Sequence, residues 1–517
     1  MFGKQALISV SDKEGVVDFA KELEKLKIKI ISSGGTAKAL RKAGVKVTEV
    51  SKVTGFPEML DGRVKTMHPI IHAGILAQRS KKLHMMTLRK HNIKTIDIVV
   101  CNLYPFEQTI SKPDVDIEDV IENIDIGGPT LVRAAAKNYQ DVIILTNPGQ
   151  YKGTIEILKS GKDLDLEQRK RLAVEAFSHT AQYDAIISNY LRDRWQGNVL
   201  PENFTPTARK IQDTRCGENP HQRGAFFRTI PRTEESCVAN AKIIQEGKGL
   251  SYNNILDADA AIETVKEFSS PTCVIIKHAT PCGIASANNP LQAWKDAYAT
   301  DIYSPFGGIV SFNRGVGVDV AEELSNYFLE VIIAPEYSEE ALSIFRKKKN
   351  LRILELKGLD KKINRKGIEF RSVVGGFIVQ ERDTWLNERK NWKIVTIEKP
   401  SEKDLDSMEF AVKCVKHVKS NSVLFVKDSR TVAIGGGQTA RVDATWIAVN
   451  KGKENIKGSI MASDAFFPFR DAVDVAAKTG IKAIIQPGGS IRDEEVIQAA
   501  NEYKIAMVFS GQRYFKH

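Results

Sequence analysis

The sequence predicts an α/β protein: a parallel sheet covered by helices over residues 1–199, then a region, 200–517, that uses one α/β unit twice. Three features carry this reading. Through residues 1–200, apolar runs of strand length alternate with stretches whose apolar residues recur at helical spacing. Each strand-like run ends in Gly, Ser, Thr, Asn or charged residues, where parallel α/β sheets carry their sites. The order helix, strand, polar strand end then appears over 205–385 and again over 386–517, which suggests an internal duplication.

A chain of 517 residues exceeds a single core, so several domains are expected. Its 42% hydrophobic and 27% charged content is that of a globular protein. No run reaches the ~18 apolar residues of a membrane span. Met1-Phe2-Gly3-Lys4 leads straight into a strand-like run without a signal-peptide pattern, so a cytoplasmic protein is expected. Six cysteines are scattered with no CxxC, which suggests neither a disulfide frame nor a zinc site. His68-x3-His72 lacks a third ligand, and no metal is expected. The net charge of +11 calls for an anionic partner. The basic runs Arg346–Lys349 and Lys361-Lys362 lack interleaved aromatics and any nucleic-acid motif. They read as solvated faces, with 346–366 a surface loop or hairpin. Small phosphate or carboxylate substrates fit the charge as well as nucleic acid does.

In chain order, Ala6–Val10 reads as a strand and Ser11–Gly15 as the turn after it. Val16, Phe19, Ala20 and Leu23 mark a helix, and Ile28–Ile31 a second strand. Ser33-Gly34-Gly35-Thr36 then hands a strand over to a helix. That pattern suits a phosphate cradle, in which glycines admit the oxyanion to free N–H groups and hydroxyls; it also suits a plain capped turn. Ser11 and Lys13 end the neighbouring strand and could complete a cradle. Gly62-Arg63-Val64-Lys65 places two cations at alternate positions. Ile96–Cys101 and Asp141–Leu145 read as buried strands, with a helix of Pro129–Lys137 between them. Leu166–Trp195 reads as a long helix that closes the domain, and Pro201–Thr207 as a linker.

The second region carries Ile275-Ile276-Lys277-His278-Ala279-Thr280-Pro281-Cys282-Gly283. Neighbours in a strand point to opposite faces, so Lys277 and His278 share a site only if the strand ends there. Thr280-Pro281-Cys282-Gly283 is expected to supply the bend. The pair suits a general base beside a cation, or two solvated loop residues.

Taken together, VSDK, SGGT, GRVKTMHP, CNLYPF, IDIGG with RAAAKN, GENPHQ, IKHATPCG, FGGIV, KSNS, GGGQTAR, SDAFFPFRD and PGGS resemble the bifunctional purine-biosynthesis family that joins AICAR transformylase to IMP cyclohydrolase. The resemblance runs nearly end to end. It implies a methylglyoxal-synthase-like N-terminal domain, a pair of cytidine-deaminase-like units after it, and a homodimer. It also implies formyl transfer from 10-formyltetrahydrofolate, a co-substrate, to AICAR, with Lys277 and His278 catalytic. Arg215, Gly307, Glu330, Asn421, Arg441, Phe466 and Arg513 would contact the nucleotide, and Asp471, Ser490 and Ile491 the folate. For cyclisation to IMP it implies Lys137, Lys65, Tyr104 and Asp125. Ser11, Lys13, Ser33, Gly35, Thr36 and Arg63 would hold the phosphate, with Asn102, Gly127 and Gly128 also at the substrate. Two positions depart from the family pattern: Cys216 replaces a usual tyrosine, and Glu330 stands where some members have aspartate. Retention of only one activity, and a basic nucleic-acid-binding protein, are the competing readings.

Overall fold

A computed structural model describes residues 4–197, 200–360, 367–383 and 388–517. The chain forms two compact units, Met1–Ala208 with Thr229–Thr233, and Arg209–Arg228 with Glu234–His517.

The first unit is built on a five-stranded parallel sheet of order β3-β2-β1-β4-β5. Its strands are β1 (Gln5–Val10), β2 (Lys29–Ser32), β3 (Val47–Glu49), β4 (Ile98–Asn102) and β5 (Ile143–Leu145). Apart from β3, a partly exposed Val-Thr-Glu, the runs are mostly apolar because helices cover both faces. Ala6, Ile8, Ile98 and Val100 pack with Val16, Phe19 and Tyr151 on one side. Leu7 and Val99 pack with Leu131, Ala135 and Ala176 on the other. Each fully buried Ile or Leu adds roughly 1.5–3 kcal/mol. The helix Leu166–Trp195 has the bounds its periodicity predicts, and a capping box of Asp165 and Gln168 sets its start. Strand order reverses between β1 and β4, so the crevice for a ligand lies beyond their C-terminal ends. Ser11 follows β1 there, and Asn102 ends β4.

The second unit contains a twelve-stranded mixed sheet of order β16-β21-β20-β19-β17-β18-β10-β9-β11-β12-β13-β8. One half is β8 (Lys242–Gln245), β9 (Thr272–Lys277), β10 (Thr280–Ser286), β11 (Gly308–Phe312), β12 (Leu329–Ala334) and β13 (Arg352–Glu355). The other is β16 (Lys393–Ile394), β17 (Val423–Lys427), β18 (Arg430–Gly435), β19 (Ile460–Ser463), β20 (Ala483–Gln486) and β21 (Ala506–Phe509). Ala208–Thr214 with Gly224–Thr229, and Ile368–Val373 with Gly376–Glu381, are separate two-stranded ribbons.

The duplication is visible in the topology. In each half a helix leads into an antiparallel hairpin (β9–β10, β17–β18), whose first strand also pairs antiparallel with the next strand (β11, β19). Two parallel strands follow in each (β12–β13, β20–β21). Both hairpins carry a register shift at the matching place, between Pro281 and Gly283 and between Phe425 and Val426. The halves meet where β10 pairs antiparallel with β18, and so share one sheet.

Two expectations are corrected. The segment 346–366 is not all surface loop: Arg352–Glu355 is β13, with Ile353 and Leu354 fully buried. Lys361-Lys362 lies outside the described residues. Nor does Thr280–Gly283 make the bend after Lys277; those residues belong to β10, and the turn is His278-Ala279. Both turn residues have positive φ, 54° and 55°, so two non-glycine residues supply the twist that Asn-Gly or Gly pairs usually give.

Candidate active sites

At the strand-order reversal of the first unit lies a cavity of about 560 Å³, within the usual range for small-molecule sites. Its lining gathers five separated segments. Ser11 and Lys13 follow β1; Ser33, Gly35 and Thr36 open the helix Gly34–Lys42; Arg63, Lys65 and Thr66 come from the loop before the helix Pro69–Leu76; Asn102, Tyr104, Asp125, Gly127 and Gly128 close it. The cations converge on the start of the helix Gly34–Lys42. A Cβ on Gly34 would stand 3.5 Å from Lys65 Nζ, and one on Gly35 4.0 Å from Lys13 Cε. Gly34 has φ 52°, which favours glycine. Ser33 is the N-cap of this helix, yet its hydroxyl makes no cap bond. Its Oγ is buried without a hydrogen-bond partner among the described residues. An unpaired buried hydroxyl, a helix N-terminus and two lysines form an anion cradle lacking only its anion.

Other residues expected to bind substrate brace the cavity. Thr36 Oγ1 donates to Val10 O (2.9 Å) and accepts from Val10 N–H (3.2 Å). Asn102 Oδ1 accepts from the N–H groups of Ser11 (2.7 Å) and Asp12 (3.0 Å), while Nδ2 donates to Asp12 O (2.9 Å). Arg63 is ion-paired with Glu122, which also lines the cavity. Asp125 Oδ1 accepts from Gly128 N–H at 2.8 Å. A Cβ on Gly128 would lie 2.5 Å from Asp125 Oδ2 and 2.7 Å from Leu103, so only glycine fits there. Burial pushes the Asp125 carboxyl above the usual aspartate range, against Gly128 N–H and the Lys65 charge, which pull it down. Its backbone N–H donates to Tyr183 Oη (2.8 Å), whose hydroxyl donates to Asn123 O (3.2 Å). Tyr183 comes from the helix Leu166–Trp195, and no local motif marks it. Lys137 is the exception. It is exposed at the last position of the helix Gly127–Lys137, about 15 Å along the axis from Gly127, and does not line the cavity.

In the second unit the Lys277-His278 hairpin is held from two sides. Lys277 Nζ donates to Phe306 O at 2.7 Å, beside Gly307. The Asp257 carboxylate accepts both turn N–H groups, His278 at 3.1 Å and Ala279 at 2.6 Å. A non-glycine residue in the left-handed region costs roughly 1–2 kcal/mol, so these bonds offset real strain. Burial raises the Asp257 pKa; the two turn N–H groups and the charges of His278 and Lys419 oppose it. The antiparallel β10–β18 pairing puts this hairpin at the sheet end where β18 finishes and β17 begins.

Asn421, Arg441 and Phe466 form one cluster at that end. Arg441 opens the helix Arg441–Gly452 and is buried. Its guanidinium donates to Ser463 Oγ (2.9 Å), Phe466 O (3.1 Å), Asn421 Oδ1 (2.8 Å) and Asp464 Oδ1 (2.7 Å). Four of its five donors are thereby engaged. Arg513 follows β21 and stacks on Phe515 at 4.4 Å. Ser490 and exposed Ile491 follow β20, with Ser490 Oγ accepting from Arg492 N–H (3.1 Å). Asp471 opens the helix Asp471–Ala477. Glu330, in β12, accepts from Arg352 (2.9 Å) and Asn254 (3.0 Å). Arg215 is exposed in the turn after the strand Ala208–Thr214, and Cys216 beside it is half-buried. All six cysteines are free. Among the described residues no cluster of three or more His, Cys, Asp or Glu could hold a metal, and no helix is long and apolar enough to cross a membrane.

An anion cradle beside a half-buried carboxylate in one unit, and a lysine–histidine turn in a duplicated sheet in the other, define a two-site α/β enzyme. The model of the AICARFT/IMPCHase bienzyme matches residues 135–451, and that of the MGS-like domain residues 15–130. A bifunctional purine biosynthesis protein PurH of Acetivibrio thermocellus is 51% identical over 99% of this chain and 100% of its own. That of Persephonella marina is 52% identical over the full length of both. The chain belongs to the AICARFT/IMPCHase bienzyme family, purine-biosynthesis enzymes that pair AICAR formyltransferase with IMP cyclohydrolase.

Proposed function

We propose that the first unit cyclises formyl-AICAR to IMP and that the second makes formyl-AICAR from AICAR and 10-formyltetrahydrofolate. The observation that carries the first assignment is the buried, unpartnered Ser33 Oγ among Lys13, Lys65 and the helix N-terminus. That cradle takes the nucleotide phosphate, with Ser11, Gly35, Thr36 and Arg63 around it. The formamide then lies towards Tyr104, Asp125, Gly127 and Gly128. The carboxamide nitrogen attacks the formyl carbon, Asp125 takes its proton, and the Lys65 cation bears the developing oxyanion before water leaves. Lys137, on the far end of its helix, is left without a place beside these groups in this chain.

For formyl transfer, the AICAR amine is a poor nucleophile because its lone pair is delocalised into the ring. His278 removes its proton as the nitrogen–carbon bond forms, and Lys277 stabilises the tetrahedral oxyanion or protonates the departing folate nitrogen. Asn421, Arg441, Phe466, Arg513, Arg215, Gly307 and Glu330 serve the nucleotide; Asp471, Ser490 and Ile491 serve the folate. Arg513 lies in the tail after β21, which turns back over the sheet: Tyr514 N–H donates to Asp464 O (2.8 Å), beside Arg441. We further infer a homodimer, as the family resemblance implies. We place the enzyme in the cytoplasm. A two-product assay tests the assignment: AICAR with formyl-folate should yield formyl-AICAR and then IMP. S33A should raise KM for formyl-AICAR while leaving formyl transfer unchanged. Equal loss of both activities would contradict it.

A further inference from the structure

We propose that Asp257 is a positioning residue for formyl transfer: its carboxylate clamps the backbone of the His278-Ala279 turn and so aims the His278 imidazole. The inference rests on the reading of His278 as the base. Asp257 sits in the helix Tyr252–Val265, which precedes β9, and each carboxylate oxygen accepts from one turn N–H. Both turn residues hold left-handed conformations, which are uncommon without glycine and less well tolerated by alanine than by histidine. Released from the clamp, the turn has every reason to relax, and the imidazole swings with its backbone.

The duplicated half provides a comparison inside the same chain. The helix Glu402–Val415 precedes β17 as Tyr252–Val265 precedes β9, and both open with a serine capping box, Ser401/Asp404 and Ser251/Asn254. Counted from those serines, the position matching Asp257 is Ser407, whose hydroxyl donates to Lys403 O in its own helix (3.1 Å). The matching hairpin turns through Asp428-Ser429, and Asp428 (φ 55°) is its positive-φ residue. Aspartate tolerates that conformation. The fold therefore closes this hairpin without a carboxylate beneath it, and supplies one under the turn that carries a histidine.

The test uses the full-length enzyme and variants D257A, D257N, A279G and D257A/A279G, with H278A as the control for the base. D257A should lose about 10²-fold in formyl-transfer kcat, the scale of a misplaced catalytic group, with KM for AICAR unchanged. D257N, which keeps one acceptor oxygen, should fall between D257A and the parent. Glycine adopts positive φ without penalty, so D257A/A279G should recover much of the lost kcat, while A279G alone changes little. A folded D257A with parental kcat, or a folded double variant with no recovery, overturns the proposal. If D257A does not fold, D257N decides alone, and parental kcat in it overturns the clamp. An active H278A would instead refute the reading of the base.

Discussion

Ser33 makes a stringent single-residue test, because its hydroxyl is buried at a helix N-cap and bonds to nothing described. Removing a hydroxyl usually costs about 1 kcal/mol when it breaks a hydrogen bond. Here none is broken, so S33A should leave Tm unchanged or slightly higher in thermal unfolding. It should also raise KM for formyl-AICAR by roughly 10-fold or more, since a bond to a charged group contributes about 1.5–3 kcal/mol. Asp125 combines function and cost in the same way. Burial raises its pKa, so its carboxylate fills only as pH rises through that raised value. The acid limb of cyclisation should therefore lie above the ~3.9 of a free aspartate. The folded chain holds this proton more tightly than the unfolded chain does. The group is thus destabilising above its raised pKa, and the penalty is relieved as pH falls through it. D125N keeps the acceptor for Gly128 N–H but carries no charge. Rates should show cyclisation down by about 10² or more, and calorimetry should show stability at neutral pH not reduced. A less stable, fully active D125N would refute the role.

At the scale of elements, β1, β2, β4 and β5 were readable because each is a largely apolar, buried run, whereas β3, a partly exposed Val-Thr-Glu, gave no such signal. The cradle was readable because Ser, Gly and Lys cluster at strand ends. Other features had no local signal. Pro281 and Gly283 look like turn residues, but the register shift of β10 accommodates them inside a strand, and the real turn uses histidine and alanine. β13 is four residues long beside a basic run, too short to show periodicity. Nothing near Arg441 shows that its guanidinium is mostly spent on Asn421, Ser463, Asp464 and Phe466. Tyr183 and Asp257 act from helices remote in sequence from the residues they hold. Y183F tests one such link: the ring keeps its edge contact with Phe106, while the bonds to Asp125 N–H and Asn123 O are lost. Cyclisation kcat should fall with formyl transfer unaffected, and stability should drop by roughly 1 kcal/mol.

At the scale of the whole molecule, two units with separate cores carry two chemistries, and a duplicated sheet has put the lysine–histidine turn on only one of its two hairpins. Lys277-His278 answers to Lys427-Asp428 in the other half, where a base would need a histidine and finds an aspartate. The family resemblance was legible from motifs scattered over the whole chain. The shared sheet was not, because strand order depends on pairings between distant segments. Independence of the two chemistries is the central claim, and a paired assay on H278A and D125N tests it most directly. H278A should make no formyl-AICAR from AICAR yet convert supplied formyl-AICAR to IMP at the parental rate; D125N should accumulate formyl-AICAR and stop there. A folded H278A that cannot cyclise, or a folded D125N that cannot transfer formyl, would contradict the account.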